Sequence, residues 1–382
     1  MEKDYLIRRR PIAALLIFAL PMMLGNFFQQ LYTMADSAIV GRLVGEEALA
    51  AVGASYSLTN VFISIAIGGG VGASVITGQT FGRRDFSRMK RSVSTALLSF
   101  LAISVVLGGV GLALSRQIMV LLRTPANILD DATTYLNIYF LGLPFLFMYN
   151  VLSSMFNALG RSRIPLYLLI FSSVLNVALD IYMVGPLGMG VAGAAFATSF
   201  SQWVSGVGLL VYTWKRMAHL RPSRQDVYWK KDRVGEIARF SLLTCVQQSV
   251  MNFGILMVQG LVNSFGVNVM AAFAAAVKID AFAYLPVQDF GNAFSTFVAQ
   301  NTGAQKAERI RKGIRSALWV SVGFCIVSSL LVCVFAIYYV LLQSLEGVEQ
   351  QAALRQRLIF ESRLMETQIA EQKKHSALML EH

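Results

Sequence analysis

Nine long apolar runs constrain this chain more than any other feature. A helix that crosses the hydrocarbon core of a bilayer needs about 20 apolar residues. Runs of that length cover residues 12–40, 48–78, 92–115, 132–158, 164–184, 190–213, 237–264, 269–300 and 313–342. Charged residues make up only 14% of the 382-residue chain, whereas soluble domains carry about 25%. The sequence therefore predicts an all-α polytopic membrane protein.

Lysine and arginine are concentrated in alternate loops between these runs. The N-terminus and every second loop after it carry 24 such residues, whereas the other loops carry only Arg42, Arg116 and Arg123. Because loops rich in lysine and arginine stay in the cytoplasm, we predict a cytoplasmic N-terminus and a multi-pass protein of a bacterial plasma membrane. This topology accounts for the net charge of +12, so we expect contact with membrane lipids and no nucleic-acid partner.

Signatures of enzyme chemistry are not visible in the sequence. The three cysteines, Cys245, Cys325 and Cys333, all fall in apolar runs, where cysteine packs as a small hydrophobic residue. The histidines lie outside the runs, and no nucleophile–base set or phosphate-binding loop is recognisable. We therefore predict neither an enzyme nor a cofactor-binding protein.

The chain contains an internal repeat on either side of its longest loop. Gln79 and Gly82 in the first half match Gln300 and Gly303 in the second, each pair 221 residues apart. Because six runs precede the loop, both copies start on the same side of the membrane, as in transporters built from parallel repeats. We predict an N-lobe of six helices (1–213), a cytoplasmic linker (214–236), an incomplete C-lobe of three helices (237–342) and a tail (343–382).

The tail differs in composition from the rest of the chain. Residues 343–382 contain no apolar run long enough to span a membrane, and they are rich in Glu, Gln, Ala, Leu, Lys and Arg. These residues favour helix, so the tail is predicted to be polar and helical. The sequence does not explain the origin of the tail or the absence of three further spans.

Two acids inside membrane runs are the main candidates for a functional site. A carboxylate at the bilayer centre costs roughly 2.5–3.5 kcal/mol on insertion scales, so Asp36 and Asp180 are functional-site candidates by default. At 1.5 Å per residue, both lie about 7–8 Å below the outer face, with Asn176 and Thr198 deeper. Their oxygen atoms suit a hard cation, and two adjacent carboxylates must share a proton or a cation. Alternatively, Asp180 and Asn176 bond only to backbone or to each other.

Several stretches resemble the multidrug and toxic compound extrusion (MATE) family. They are ADSAIVGRLVGEEALAAVG from Ala35, GASVITGQTFGRRD from Gly72, YLNIYFLGLPFLFMYNVLSSMFNALGRSRIPL from Tyr135, NVALDIYMV from Asn176, GVAGAAFATSFSQ from Gly190 and the run from Val269 to Ala304. The resemblance covers most of residues 10–340. It implies secondary-active efflux of organic cationic or amphipathic compounds, exchanged for H⁺ or Na⁺ by alternating access, by a monomer.

The resemblance also assigns roles to particular residues. It implies a cation-coupling site, with Na⁺ as one possible ion, formed by Asp36, Asn176, Asp180 and Thr198. It places Tyr135 beside that site. It further implies that the first predicted span (12–40) bends at Pro21 when the site changes occupancy, although a static kink is the alternative.

A second set of polar residues lies in the C-lobe. Lys278 and Asp289 are eleven residues apart on one helix, which puts them within about 20° of each other, while Asp280 faces elsewhere. With Gln248, they could line a second-lobe cavity, or they could form structural pairs. Two alternatives to efflux remain: a lipid-linked oligosaccharide flippase on the same fold, or a non-transporting membrane fragment with the tail as interaction module.

Overall fold

The computed structural model describes residues 4–122, 124–217, 231–263 and 267–334, which are helical with short turns. The helices are α1 (Tyr5–Arg8), α2 (Pro11–Leu43), α3 (Glu46–Gly82), α4 (Phe86–Leu121), α5 (Ala126–Ala158), α6 (Arg163–Val184), α7 (Gly190–Arg216), α8 (Lys231–Asn263), α9 (Val267–Gly303) and α10 (Ala307–Val334). The all-α prediction is confirmed for this part. The tail (343–382) and residues 218–230 of the linker lie outside it. The chain divides into two compact units, Met1–Val320 and Ser321–His382. The helix packing and sites below belong to the first.

Seven of the nine predicted spans each lie within one helix, in α2 to α7 and α9, and the described parts of the other two, 237–263 and 313–334, lie within α8 and α10. Seven helical segments in the described residues are long and apolar enough to cross a membrane, and α8 and α9 are not among them. In the described part of α9, Gln288, Asp289 and Asn292 line a cavity. Polar residues that face a cavity lower the hydropathy of a helix without exposing it to lipid.

The core of the first six long helices is built around α5, which packs against α3, α4 and α7. Phe140, Phe147 and Phe156 of α5 are almost completely buried. On α4, Gly108 and Gly111 lie against Phe140, and a Cβ at Gly111 would overlap the Phe140 ring at 2.7 Å. Because lipid tails are as apolar as side chains, small residues that allow close approach are what hold membrane helices together.

The repeated residues meet each other where α3 crosses α9. A Cβ on Gly82 would overlap the carbonyl oxygen of Gln300, and a Cβ on Gly303 would overlap the carbonyl oxygen of Gln79. The Gln300 side chain also donates to the Ala158 carbonyl oxygen at 2.6 Å. The crossing is therefore symmetric, as a two-fold relation between the two copies of the repeat requires.

The short helix α1 ties several elements together at the end of the bundle that carries the N-terminus. The Tyr5 hydroxyl donates to the Gly160 carbonyl oxygen at 3.0 Å, in the turn after α5. The Leu6 carbonyl oxygen accepts from Asn301 Nδ2 at 3.2 Å and from Arg309 at 3.0 Å. We call this set of bonds the N-terminal clamp, because it joins the α5–α6 turn to α9 and α10.

Helix α2 contacts helices from both halves of the chain. It packs against α6 on one side and α9 on another, and it contains the buried Pro21. Proline has no N–H, so the helical bond to the carbonyl four residues earlier is missing. The Ser162 hydroxyl donates to the neighbouring carbonyl of Phe18 at 3.2 Å. The helix is therefore locally weakened at the point where the two halves meet.

Candidate functional site

The structure brings Asp36 and Asp180 together from α2 and α6. Asp36 is 8% exposed and Asp180 is fully buried. Their carboxyl groups lie within hydrogen-bonding range of each other. In each group Oδ1 is buried and has no hydrogen-bond partner in the described part of the chain. Two adjacent carboxylates with free oxygen atoms form a place where a proton or a cation can be held.

Asn176 connects this pair to α7. It lies one turn before Asp180 on α6 and is 1% exposed. When its amide nitrogen faces the carboxylate, it donates to Asp180 Oδ2 at 3.3 Å, and its oxygen accepts from the Thr198 N–H at 3.3 Å. This orientation pairs both ends of the amide. Asn176 therefore holds the Asp180 carboxylate in place, and Thr198 contributes through its backbone N–H.

Two tyrosines lie beside the acids. Tyr135 of α5 is 9% exposed and within electrostatic range of both Asp36 and Asp180. Tyr32 of α2 is also within electrostatic range of both acids. The sequence interpretation included Tyr135 but missed Tyr32. The spacing could have identified it, since residues four apart share a helix face and Tyr32 precedes Asp36 by four.

A cavity of about 280 Å³ lies next to this site. Tyr32, Asn176 and Thr198 belong to its wall, while Asp36 and Asp180 do not line it. The acid pair therefore lies behind the cavity wall and reaches the cavity through these three residues. The other polar residues on the wall include Asn26, Gln29, Tyr149, Asn150, Asn157, Gln202, Gln288, Asp289 and Asn292.

The second-lobe candidates are only partly described. Asp289 lines the cavity, is 3% exposed and accepts a hydrogen bond from Asn26 Nδ2 at 2.6 Å. The sequence interpretation did not single out Asn26. The side chains of Gln248, Lys278 and Asp280 lie outside the described part of the structure, so their predicted role in this cavity stays a prediction.

The residues of the site suit a small hard cation better than a transition metal. Within the described residues, no cluster of three or more His, Cys, Asp or Glu side chains could hold a metal ion. The unpartnered oxygen atoms at Asp36 and Asp180 belong instead to two carboxylates, which hard cations prefer as ligands. The two unpartnered Oδ1 atoms are available for such an ion.

Comparison with known proteins identifies the family. Residues 21–182 and 243–355 match the MatE family. The probable multidrug resistance protein YoeA of Bacillus subtilis is 30% identical over 312 residues, which cover 80% of this chain and 67% of that protein. The multidrug export protein MepA of Staphylococcus aureus is 23% identical over 338 residues, covering 88% of this chain and 74% of that protein. The chain thus spans about two thirds to three quarters of these relatives.

Solved structures share the fold. A crystal structure of a MATE protein in the bent conformation superposes with a TM-score of 0.83 at 23% identity, over 88% of this chain and 75% of that one. A MOP superfamily transporter from Pyrococcus furiosus gives a TM-score of 0.82 at 24% identity, over the same shares of the two chains. The family match and these shared folds agree with the resemblance found in the sequence. This chain therefore belongs to the MATE family of multidrug efflux transporters.

Proposed function

We propose that this chain exports organic cationic or amphipathic compounds in exchange for H⁺ or Na⁺ by alternating access. The observation that carries the proposal is the meeting of Asp36 and Asp180 behind the wall of the cavity. Paired carboxylates in a low-dielectric site repel each other unless a proton or cation joins them. Binding of a proton or cation to this pair thus changes the electrostatic force between α2 and α6.

Helix α2 links that force to the rest of the molecule. It carries Asp36 and also packs against α9, with Pro21 on the same helix. Ion binding draws the Asp36 segment toward α6, and the weakened hydrogen bonding at Pro21 lets the two parts of the helix respond separately. A helix that moves with ion occupancy and touches both halves of the chain can couple the ion to opening and closing of the cavity.

The cavity fits an organic cation better than an acidic lipid headgroup. Among the described residues that line it, Asp289 is the one with a formal charge, and none is lysine or arginine. A flippase for a lipid-linked precursor would need basic groups for phosphate. The volume of about 280 Å³ is close to the lower end of the range for small-molecule pockets. The flippase alternative is accordingly not favoured.

Efflux in proteoliposomes tests the proposal. The full chain is reconstituted, a cationic dye is loaded, and pH and sodium gradients are imposed separately to identify the ion. Exchange of one H⁺ or Na⁺ for one monocationic dye moves no net charge, so the ion gradient alone drives it, and an ion gradient of about 50-fold, worth about 2.3 kcal/mol, can sustain a dye gradient of about 50-fold. We expect Asp36→Asn and Asp180→Asn to lose gradient-driven efflux.

Asp130→Asn is the matched control, since Asp130 is exposed and pairs with Arg116. It should transport as the wild type does. Undiminished efflux in both Asp36→Asn and Asp180→Asn would rule out the coupling site. A wild-type chain that binds dye without transporting it would favour the non-transporting alternative.

A further inference from the structure

Asp289 is an acid that the coupling mechanism does not use. It lies on α9, on the wall of the cavity, with 3% of its surface exposed. Its Oδ1 accepts from Asn26 of α2 at 2.6 Å, while its Oδ2 is buried and has no partner among the described residues. A carboxylate inside a membrane bundle that has one neutral amide as its partner is only partly stabilised.

This acid is well separated from the coupling pair. Asn26 and Asp36 are ten residues apart on α2, which is about 15 Å along the helix. Asp289 therefore holds its charge at a different level of the bundle from Asp36 and Asp180. Gln288 and Asn292 line the cavity near it on α9, and these neutral side chains do not neutralise a carboxylate. Among the described residues of the cavity wall, Asp289 thus carries the one formal charge, and the others are neutral.

The wall around Asp289 offers surface for the body of a cation as well as for its charge. Met22 of α2, Ile63 and Ile67 of α3, and Leu146 and Tyr149 of α5 line the same cavity. Methionine adapts to ligands of different shape, and a tyrosine ring attracts a cation to its face. A ligand with one positive charge and a large apolar body matches this arrangement.

We propose that Asp289, positioned by Asn26, is the charge-recognition site for organic monocations in this cavity, distinct from the ion-coupling pair. The inference rests on the proposed function, because it concerns what the exported compound touches. The Asn26–Asp289 hydrogen bond joins α2 to α9. A cation held at the unpartnered Oδ2 leaves the Asn26 bond at Oδ1 in place, so this bond connects the bound ligand to the helix that carries Asp36.

Equilibrium binding to the purified full chain in detergent tests this inference. The probe is tetraphenylphosphonium, and its control is triphenylphosphine oxide, a neutral compound with a similar aromatic body. We expect Asp289→Asn to weaken phosphonium binding at least tenfold and to change binding of the neutral compound less than twofold. Asp289→Glu keeps the charge and should retain most of the phosphonium affinity. Asp130→Asn, on the exposed surface, should bind both compounds as the wild type does.

The outcomes separate this inference from the proposed function. Unchanged phosphonium affinity in Asp289→Asn overturns the inference. An equal loss of affinity for the neutral compound also overturns it, because that result would indicate a change in the shape of the cavity. A wild-type chain that does not bind phosphonium also overturns it. If the wild type binds phosphonium through Asp289 but shows no gradient-driven efflux, the proposed function fails and the recognition site stands. A cooperative thermal unfolding transition, measured for each variant, serves as the control that the variant is folded.

Discussion

The symmetric crossing of α3 and α9 gives the sharpest test of the packing. In Gly82→Ala, the new Cβ would lie 2.9 Å from the Gln300 carbonyl carbon and 3.0 Å from the Ala304 nitrogen, whereas carbon contacts are favourable from about 3.5 Å. Because the obstructing atoms are backbone, a side-chain rotation cannot relieve the overlap, and the ends of α3 and α9 must separate. Gly303→Ala produces the same overlap from the other side, against Gln79.

The expected cost is at the upper end of that for overpacking, about 3 kcal/mol. A loss of this size lowers the melting temperature by about 5 °C or more in a protein of several hundred residues. The measurement is thermal unfolding of each purified variant in detergent. The double variant Gly82→Ala/Gly303→Ala should lose less than the sum of the single losses, because both changes separate the same two helix ends.

Each helix supplies its own control. Gly53 on α3 and Gly291 on α9 are exposed, and a Cβ on either would meet nothing within 4 Å. Alanine there should raise stability by up to about 1 kcal/mol, since it is the better helix former. Alanine should therefore lower the melting temperature at Gly82 and Gly303 and raise it at Gly53 and Gly291. If the Gly82→Ala and Gly303→Ala variants melt no lower than the Gly53→Ala and Gly291→Ala variants, the close backbone contact between α3 and α9 is refuted.

Two further predictions concern the N-terminal clamp. Arg309→Ala removes the guanidinium donor to the Leu6 carbonyl and should loosen the N-terminal clamp. A thiol introduced by Ile7→Cys, in a chain whose native cysteines are replaced, should then be alkylated several-fold faster than the same thiol with Arg309 present. Equal alkylation rates would contradict the clamp. Burial raises the pKa of the Tyr5 hydroxyl above its ordinary value near 10. Its stabilising contribution is therefore complete below about pH 10 and is lost as the pH rises further. The melting-temperature difference between the wild type and Tyr5→Phe should be constant from pH 7 to 9 and shrink above pH 10, whereas a fall below pH 9 would disagree with a buried hydroxyl.

Hydropathy located the helices but not their full length. The predicted run 92–115 lies within the helix Phe86–Leu121, and the run 48–78 lies within Glu46–Gly82. Hydropathy marks only the part of a helix suited to hydrocarbon. The backbone hydrogen bonds continue past that part, as at α4, where Asp85 caps the helix by accepting from the Arg88 N–H at 2.9 Å. The ends of the helices therefore depend on capping and packing rather than on apolar composition.

From the sequence alone, the all-α fold, the internal repeat and the two candidate acids could be predicted. Apolar runs and isolated charges within them are local properties, and the cost of burying an acid in a membrane makes each one conspicuous. The 221-residue offset between Gly82 and Gly303 is also apparent in the sequence, but the reason for glycine at these two positions is not. That reason is the close crossing of two backbones.

Which polar groups contact each other depends on how the helices pack. Asn26 and Asp289 are 263 residues apart in the chain and 2.6 Å apart between their paired atoms. The Leu6 carbonyl and Arg309 are separated by 303 residues. Neither partner carries a local signal for the other, because a hydrogen bond between distant helices depends on how those helices pack and rotate. The candidate acids could therefore be identified from the sequence, whereas their hydrogen-bond partners, and the cavity that Asp289 lines, depend on helix packing.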